Sequence, residues 1–279
     1  MTDENRYALR KYPRTPHLEG SRLQPGDEDL SQVPFSAIAG RHLVVEEKID
    51  GANSAVSFDG SARLLLQSRG HYLCGGYRER HYQLFKQWAA IHRDLLYASL
   101  GSRYIMYGEW MYAAHRVYYD ALPHYFLEFD IYDRDRDCFL DTPSRRRLTG
   151  AMGVCSVPVL AEGRFADRED LLRLLGPSRF KTPRARERLL ETLEREHLDA
   201  GRTAAGTDVT ELMEGLYIKA ESGGQVTDRL KYVRASFSQA AAADSTPWLD
   251  RPIVPNGLDR PLSALLAPPD RGAEGTGHD

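Results

Sequence analysis

Cysteine is scarce in this chain. Its 279 residues include only Cys74, Cys138 and Cys155, which lie far apart and form no CxxC pair. A disulfide framework and a zinc ribbon are therefore both excluded as organising principles, and the three thiols read as small buried hydrophobes. The nine histidines include no HExxH, so a helical zinc site is not indicated. No apolar run approaches the ~20 residues of a membrane span. The opening MTDENRYALRKY is polar and lacks the apolar core of a signal peptide, so the chain reads as cytoplasmic, with no membrane partner. There is no GxxxxGK[ST], nor any Gly-Lys pair, and no GxGxxG follows a strand-like segment. A P-loop and a dinucleotide fold are disfavoured on that ground. Excess charge of one sign is missing too: the net charge is −3, so any polyanion must be met by a local patch.

Lysine is the most informative shortage. Of 37 basic residues only Lys11, Lys48, Lys86, Lys181, Lys219 and Lys231 are lysine. Genome composition can produce such a bias. Arginine cannot deprotonate to act as a nucleophile, however, so each remaining lysine is a candidate for chemistry.

The residues that are present suggest an α+β chain with mostly antiparallel sheet. The first ~35 residues mix charge, proline and glycine and read as an arm. HLVVEEKID, at 42–50, predicts a strand entering a turn at Gly51. SAVSFDGSARLLLQSRG predicts a hairpin turning at Asp59-Gly60. Leu84, Trp88, Ile91 and Leu95 recur at helical spacing over 78–100, with Gly101 as a stop. RYIMYGEW and HYFLEFDIYD predict strands, and Thr182-Pro183 and Gly201 bracket a further helix. GLYIKAE and DRLKYVRASF predict the last two strands. Arg145-Arg146-Arg147 reads as a solvated face, with nucleic-acid contact as the sharper alternative. The predicted division is a domain over 1–240 that includes the arm, then an Ala/Pro-rich tail over 241–279 with a disordered end.

Chemistry concentrates in Glu47-Lys48-Ile49-Asp50-Gly51-Ala52-Asn53. A lysine closing a strand, followed by a carboxylate and a glycine, suits an amine that attacks an α-phosphate while the backbone approaches the nucleotide. Taken alone, KxDG also occurs in ordinary surface turns. It is followed in order by Ser68-Arg69-Gly70, Tyr107-Gly108-Glu109-Trp110, Phe126-Leu127-Glu128-Phe129-Asp130-Ile131, Glu214-Gly215-Leu216-Tyr217-Ile218-Lys219 and Arg229-Leu230-Lys231-Tyr232. This series, over roughly 44–234, resembles the collinear motifs of the ATP-dependent RNA ligases, within the superfamily of covalent nucleotidyltransferases that includes DNA ligases and capping enzymes.

The resemblance implies a nucleotidyltransferase fold, with antiparallel sheets flanking a nucleotide cleft and peripheral helices. The 45 residues after Arg234 are too few and too poorly patterned for an appended OB barrel. It implies that Lys48 is the nucleophile, helped by Lys219 and Lys231 as point charges on the phosphates. Glu47, Asp50, Gly51, Asn53, Arg69 and Glu109 are implied nucleotide contacts, Glu109 through the ribose and Glu47 through the adenine. The base stacks on an aromatic, Phe126 or Phe129, of which Phe129 is favoured because it abuts the Asp-Ile of its motif. Glu214 is the implied ligand of Mg2+ or Mn2+. ATP is the implied cofactor, RNA ends or nicks the substrate, and an end-healing kinase or phosphatase a candidate partner. The alternatives are an ATP-dependent DNA ligase and a non-catalytic nucleic-acid-binding module. Burial and nearby cations are expected to lower the Lys48 pKa toward neutrality.

Overall fold

The computed structural model describes residues 6–23, 27, 30–237 and 252–268. Its strands are β1 (His17–Leu18), β2 (Gln32–Val33), β3 (Leu43–Lys48), β4 (Ala52–Phe58), β5 (Leu64–Ser68), β6 (Tyr104–Trp110), β7 (Phe126–Asp133), β8 (Cys138–Phe139), β9 (Val159–Gly163), β10 (Gly215–Ser222) and β11 (Gln225–Val233). The helices used below are α1 (Gln83–Ile91), α2 (Arg93–Leu100), α3 (Thr142–Met152), α4 (Arg168–Leu172), α5 (Ala185–Arg195) and α6 (Ala200–Ala205). Among the described residues the strands form two sheets, in the orders β2-β1-β11-β10-β3-β9 and β5-β4-β6-β7-β8. Pairing is antiparallel except where β1 lies parallel to β11 and to β2. The α+β class with antiparallel-rich sheets is thus as expected. No helix among the described residues is long and apolar enough to cross a membrane.

The chain crosses from the first sheet to the second in three residues, Ile49 to Gly51, between the end of β3 and the start of β4. One apolar core lies between the second sheet and α1–α3, with Phe85, Trp88, Met106, Phe126 and Ile131 at its centre. Another, around Leu18, Val45, Leu216 and Ile218, covers the outer face of the first sheet against α4. Burial of this apolar surface drives the packing.

Several local expectations change. The hairpin turn runs from Asp59 to Arg63 rather than closing on Asp59-Gly60: the Asp59 carboxylate accepts from Ser61 N and Arg63 N, and Ala62 takes the left-handed conformation. The 78–100 helix is two helices broken at His92, whose ring nitrogen bonds the Trp88 carbonyl. Gly101 does end the second. Gly201 is not a stop: α5 ends at Arg195, His197 takes positive φ, and Gly201 lies inside α6. Residues 252–268, expected to be tail, pack against the body. Asn256 is buried and bonds Met111 O and Tyr119 N, and Leu265 joins the core. The expected disorder of the final residues concerns positions outside the described residues.

The two sheets are joined by a buried ion cluster. Lys219 on β10, 0% exposed, pairs with Glu46 of β3 at 2.8 Å and with Asp130 of β7 at 3.3 Å. Arg229 of β11 pairs with Asp130 at 3.0 Å. Arg145 of α3, 2% exposed, pairs with Glu46 at 2.5 Å and Glu128 at 3.0 Å. This corrects the reading of the arginine run: Arg146 and Arg147 are exposed, but Arg145 is a buried counter-ion. Burial pushes the Asp130 carboxyl up, yet Lys219, Arg229 and Arg145 hold it down at about 2, below its usual 3.8. A depressed carboxylate contributes stability that is fully present above about pH 4 and is lost as pH falls through about 2. Acid unfolding should therefore set in across that window. Asp130→Asn, which leaves buried cations short of charge, should cost ~3–5 kcal/mol at pH 7. Denaturant titration at about pH 7 and about pH 2 reads this, and a wild-type midpoint in Asp130→Asn at neutral pH would contradict it.

Candidate active site

Lys48 closes β3 at the crossing between the sheets. Its Nζ donates to Glu214 Oε2 at 2.6 Å, and Glu214 is buried at the residue before β10. The turn after Lys48 is held from both sides. Asp50 Oδ2 accepts from Arg116 N at 2.8 Å and Val117 N at 3.2 Å, while Asp50 N donates to the Tyr119 hydroxyl at 2.9 Å. Gly51 N donates to Glu109 Oε1 at 3.1 Å. A Cβ on residue 51 would lie 2.7 Å from Met111 Sδ, 2.8 Å from Trp110 O and 2.9 Å from Glu109 Cγ. Gly51 is therefore required by its contact with 109–111, beyond any approach of backbone to ligand.

A cavity of about 180 Å3 opens beside Lys48, lined among others by Phe129, Asn53, Arg69, Glu109, Tyr217 and Lys231. That is below the ~300–1,000 Å3 of ordinary ligand pockets. It continues past Asn53, Arg69 and Glu109 into a groove of about 890 Å3 bounded by His71, Tyr77 and His115. Most of the residues singled out from the motifs thus meet at one place. Phe126 does not: it is fully buried, stacked on Phe85 and Trp88 in the core. Phe129 reaches the cavity through a β-bulge. Tyr107 pairs with Asp130 and Gly108 with Glu128, which leaves Phe129 as the extra residue. Its freed carbonyl accepts from Lys219 and Arg145.

Three residues are placed differently from their expected roles. The Lys219 ammonium points into the ion cluster, so it supports the cavity from behind instead of lining it. Glu47 borders the cavity, but its carboxylate is taken by Ser178 Oγ at 2.5 Å and Arg179 N at 3.0 Å. The Asp50 carboxylate serves the 116–117 loop. Sequence reasoning also missed part of the wall. The arm supplies Tyr12, Pro13 and Thr15. Tyr12 sets its ring edge-on to Phe129, 5.0 Å between centroids, and its hydroxyl bonds Asp130 and, at 2.9 Å, Tyr217. An aromatic within a polar arm was the signal the sequence offered.

Electrostatics reverse one expectation. Burial lowers the Lys48 pKa, but Glu214, Asp50 and Glu109 more than offset it, and the ammonium is held above the ordinary lysine value. Burial pushes Glu109 up to about 8 against the pull of Lys48. Burial also lowers Lys231, with Asp27 opposing. Among the described residues no group of three or more His, Cys, Asp or Glu forms a metal cage.

The family model described as RNA ligase matches residues 41–233. The chain belongs to the RNA ligase family. No curated protein matches its sequence. Among solved structures it resembles a Naegleria gruberi RNA ligase with PPi, at TM-score 0.51 and 16% identity, over 83% of this chain and 57% of that one. A variant of the same ligase with ATP and Mn matches at TM-score 0.51 and 16% identity, over 83% and 58%. The chain thus spans less than two thirds of those structures, and at this identity the likeness is one of fold.

The ion pair yields a direct test. Glu214→Gln should lower the Lys48 pKa, because it removes the nearest carboxylate. The pH dependence of Lys48 acylation by an amine-reactive reagent, read by peptide mapping without nucleotide, should shift to lower pH. An unchanged or higher midpoint would show that Glu214 does not hold the ammonium charged.

Proposed function

We propose that this RNA ligase family member is an ATP-dependent enzyme that joins 3′-hydroxyl and 5′-phosphate RNA ends through a lysyl-AMP at Lys48. The observation that carries the reading is the meeting of Lys48, Glu109, Phe129 and Lys231 at one cavity between two sheets, with the buried Glu214 bonded to Lys48. The ATP and Mn present with the Naegleria ligase variant support the choice of nucleotide and of a divalent ion. In this reading the nucleotidyltransferase domain takes in 252–268 as well as the body they pack against, with no OB domain among the described residues.

Lys48 Nζ attacks the α-phosphorus of ATP. The P–N bond forms, the bond to the bridging oxygen breaks, and pyrophosphate leaves. The attacking amine must first lose a proton, and Glu214 Oε2, 2.6 Å away, is positioned to receive it. Phe129 offers a ring face to the base. Glu109 lies beside Gly51 where the ribose would sit, and its pKa near 8 makes it a hydrogen-bond donor as well as acceptor near neutral pH. Lys231 and Arg69 border the phosphate end. Glu214, buried and bonded to Lys48, is the single carboxylate that would hold a divalent ion of the kind that completes its shell with phosphate oxygens and water, and the ion would neutralise phosphate charge. A 5′-phosphate oxygen then attacks the adenylyl phosphorus, the P–N bond breaks and the Lys48 amine is released; the 3′-hydroxyl finally attacks the 5′-phosphorus, gives up its proton and expels AMP. The wide groove past Asn53 and Arg69 is the surface available to the RNA end.

With ATP and a divalent ion, the enzyme should seal a nick whose 3′-hydroxyl strand ends in ribonucleotides at least tenfold faster than the all-DNA nick, since the 2′-hydroxyl and A-form shape are what it can read locally. Lys48→Arg, which keeps the charge but cannot attack, should abolish sealing. Equal sealing of the DNA nick would make the protein a DNA ligase. Absence of sealing on every substrate would leave a binding module.

A further inference from the structure

The N-terminal arm carries an acid to the phosphate end of the cavity. β1 runs parallel to β11 with His17 in register with Lys231, and Lys231 N donates to Pro16 O at 3.0 Å. Beyond β1, Asp27 returns to the same place. Its Oδ2 lies 2.5 Å from Lys231 Nζ and 3.1 Å from His17 Nε2, and its Oδ1 lies 3.6 Å from Arg14. His17 is fully buried, and burial lowers its pKa. The imidazole is therefore neutral at physiological pH, and the Asp27 charge is met by Lys231 and Arg14. The Asp27 and Lys231 side chains are only 15% and 14% exposed, so salt screens the pair weakly.

We propose that Asp27 sets the affinity for the nucleotide by occupying Lys231, so that the phosphates must displace it before Lys231 can grip them. The proposal rests on the reading of Lys231 as a phosphate contact. Lys231 borders the same cavity as Lys48 and Phe129. A phosphate brought to its ammonium meets the Asp27 carboxylate at close range, and two anions on one cation repel. The arm has anchors that do not involve Asp27. Glu19 N donates to Val33 O at 2.9 Å, Arg22 N to Val233 O at 3.1 Å, and Val233 N to Ser21 Oγ at 2.9 Å. Tyr12 is fixed separately between the sheets. Removing the charge of Asp27 therefore frees Lys231 without undoing the arm. A plain tether would behave in the opposite sense, since loosening it would weaken the cavity wall and the nucleotide with it.

The test is Asp27→Asn, which keeps the shape and the contact to His17. Two quantities are read: the ATP concentration that half-saturates self-adenylylation, and the Kd of a non-hydrolysable α,β-methylene ATP analogue. Both should fall about three- to tenfold, the scale of one partly screened charge contact, with the maximal rate within about twofold. In a Lys231→Ala background the same substitution should change the analogue Kd by less than about twofold, a binding readout that survives loss of catalysis. Unchanged or weaker binding in Asp27→Asn would overturn the proposal and make Asp27 a tether. If the unaltered chain bound no ATP and formed no adduct, the ligase reading itself would fall. Adduct formation with an unmoved Kd would sink the role of Asp27 alone.

Discussion

Lys219 is a fully buried ammonium at the seam of two sheets, and its partners come from both. Glu46 lies beside it in the first sheet and Asp130 faces it from the second. Arg229 and Arg145 complete the set with Glu128. Taking such ions out of water costs several kcal/mol each, and the return depends on geometry. The sheets are thereby fixed at one separation and one register, because any slip strands a charge. The two lone pairs of the Phe129 carbonyl, freed by the bulge, are held by the same cations. The ring of Phe129 and the end of β3 at Lys48 are positioned by this one cluster.

At the site built on that seam the lysine cations are held in ion pairs. Lys48 is held cationic by carboxylates, chiefly Glu214. For Lys48 to attack as proposed, its proton must pass to a neighbouring carboxylate, and Glu214 Oε2 is the one in hydrogen-bond contact. A divalent ion held by Glu214 would add positive charge beside Lys48 and so favour the neutral amine. The Asp27–Lys231 pair repeats this logic at the other end of the cavity. Lys48 and Lys231 both rest in ion pairs that an anionic nucleotide would exchange for its own.

Much of the site could be read from the chain because strand-end motifs are local. Lys48, Asp50 and Gly51 are neighbours in sequence, and the turn they form is closed by Glu109 from a later motif. Whatever depended on long-range pairing was hidden. Arg145 sits in a run of three arginines that looks like a solvated face, and only the packing of α3 against β7 makes it a buried counter-ion. Lys219 lies in a motif whose pattern cannot tell a cation facing the ligand from one facing the opposite sheet. Phe126 lies in the core while Phe129 lines the cavity because of a bulge, which shifts register by one residue and leaves no compositional trace. Gly201 failed as a stop because His197 had already ended α5. The polar arm looked peripheral because its two-residue strand and its hydroxyl contacts are too short to create periodicity.

The central claim is that the cavity between the sheets delivers the α-phosphate of ATP to one amine. Incubating the chain with ATP and a divalent ion, then combining intact mass measurement with peptide mapping, tests it most directly. The account predicts a gain of one AMP per chain, acid-labile as a phosphoramidate, on the peptide containing Lys48 and on no other lysine. Modification at Lys231 or Lys181 in its place, or no mass gain with ATP, would contradict it.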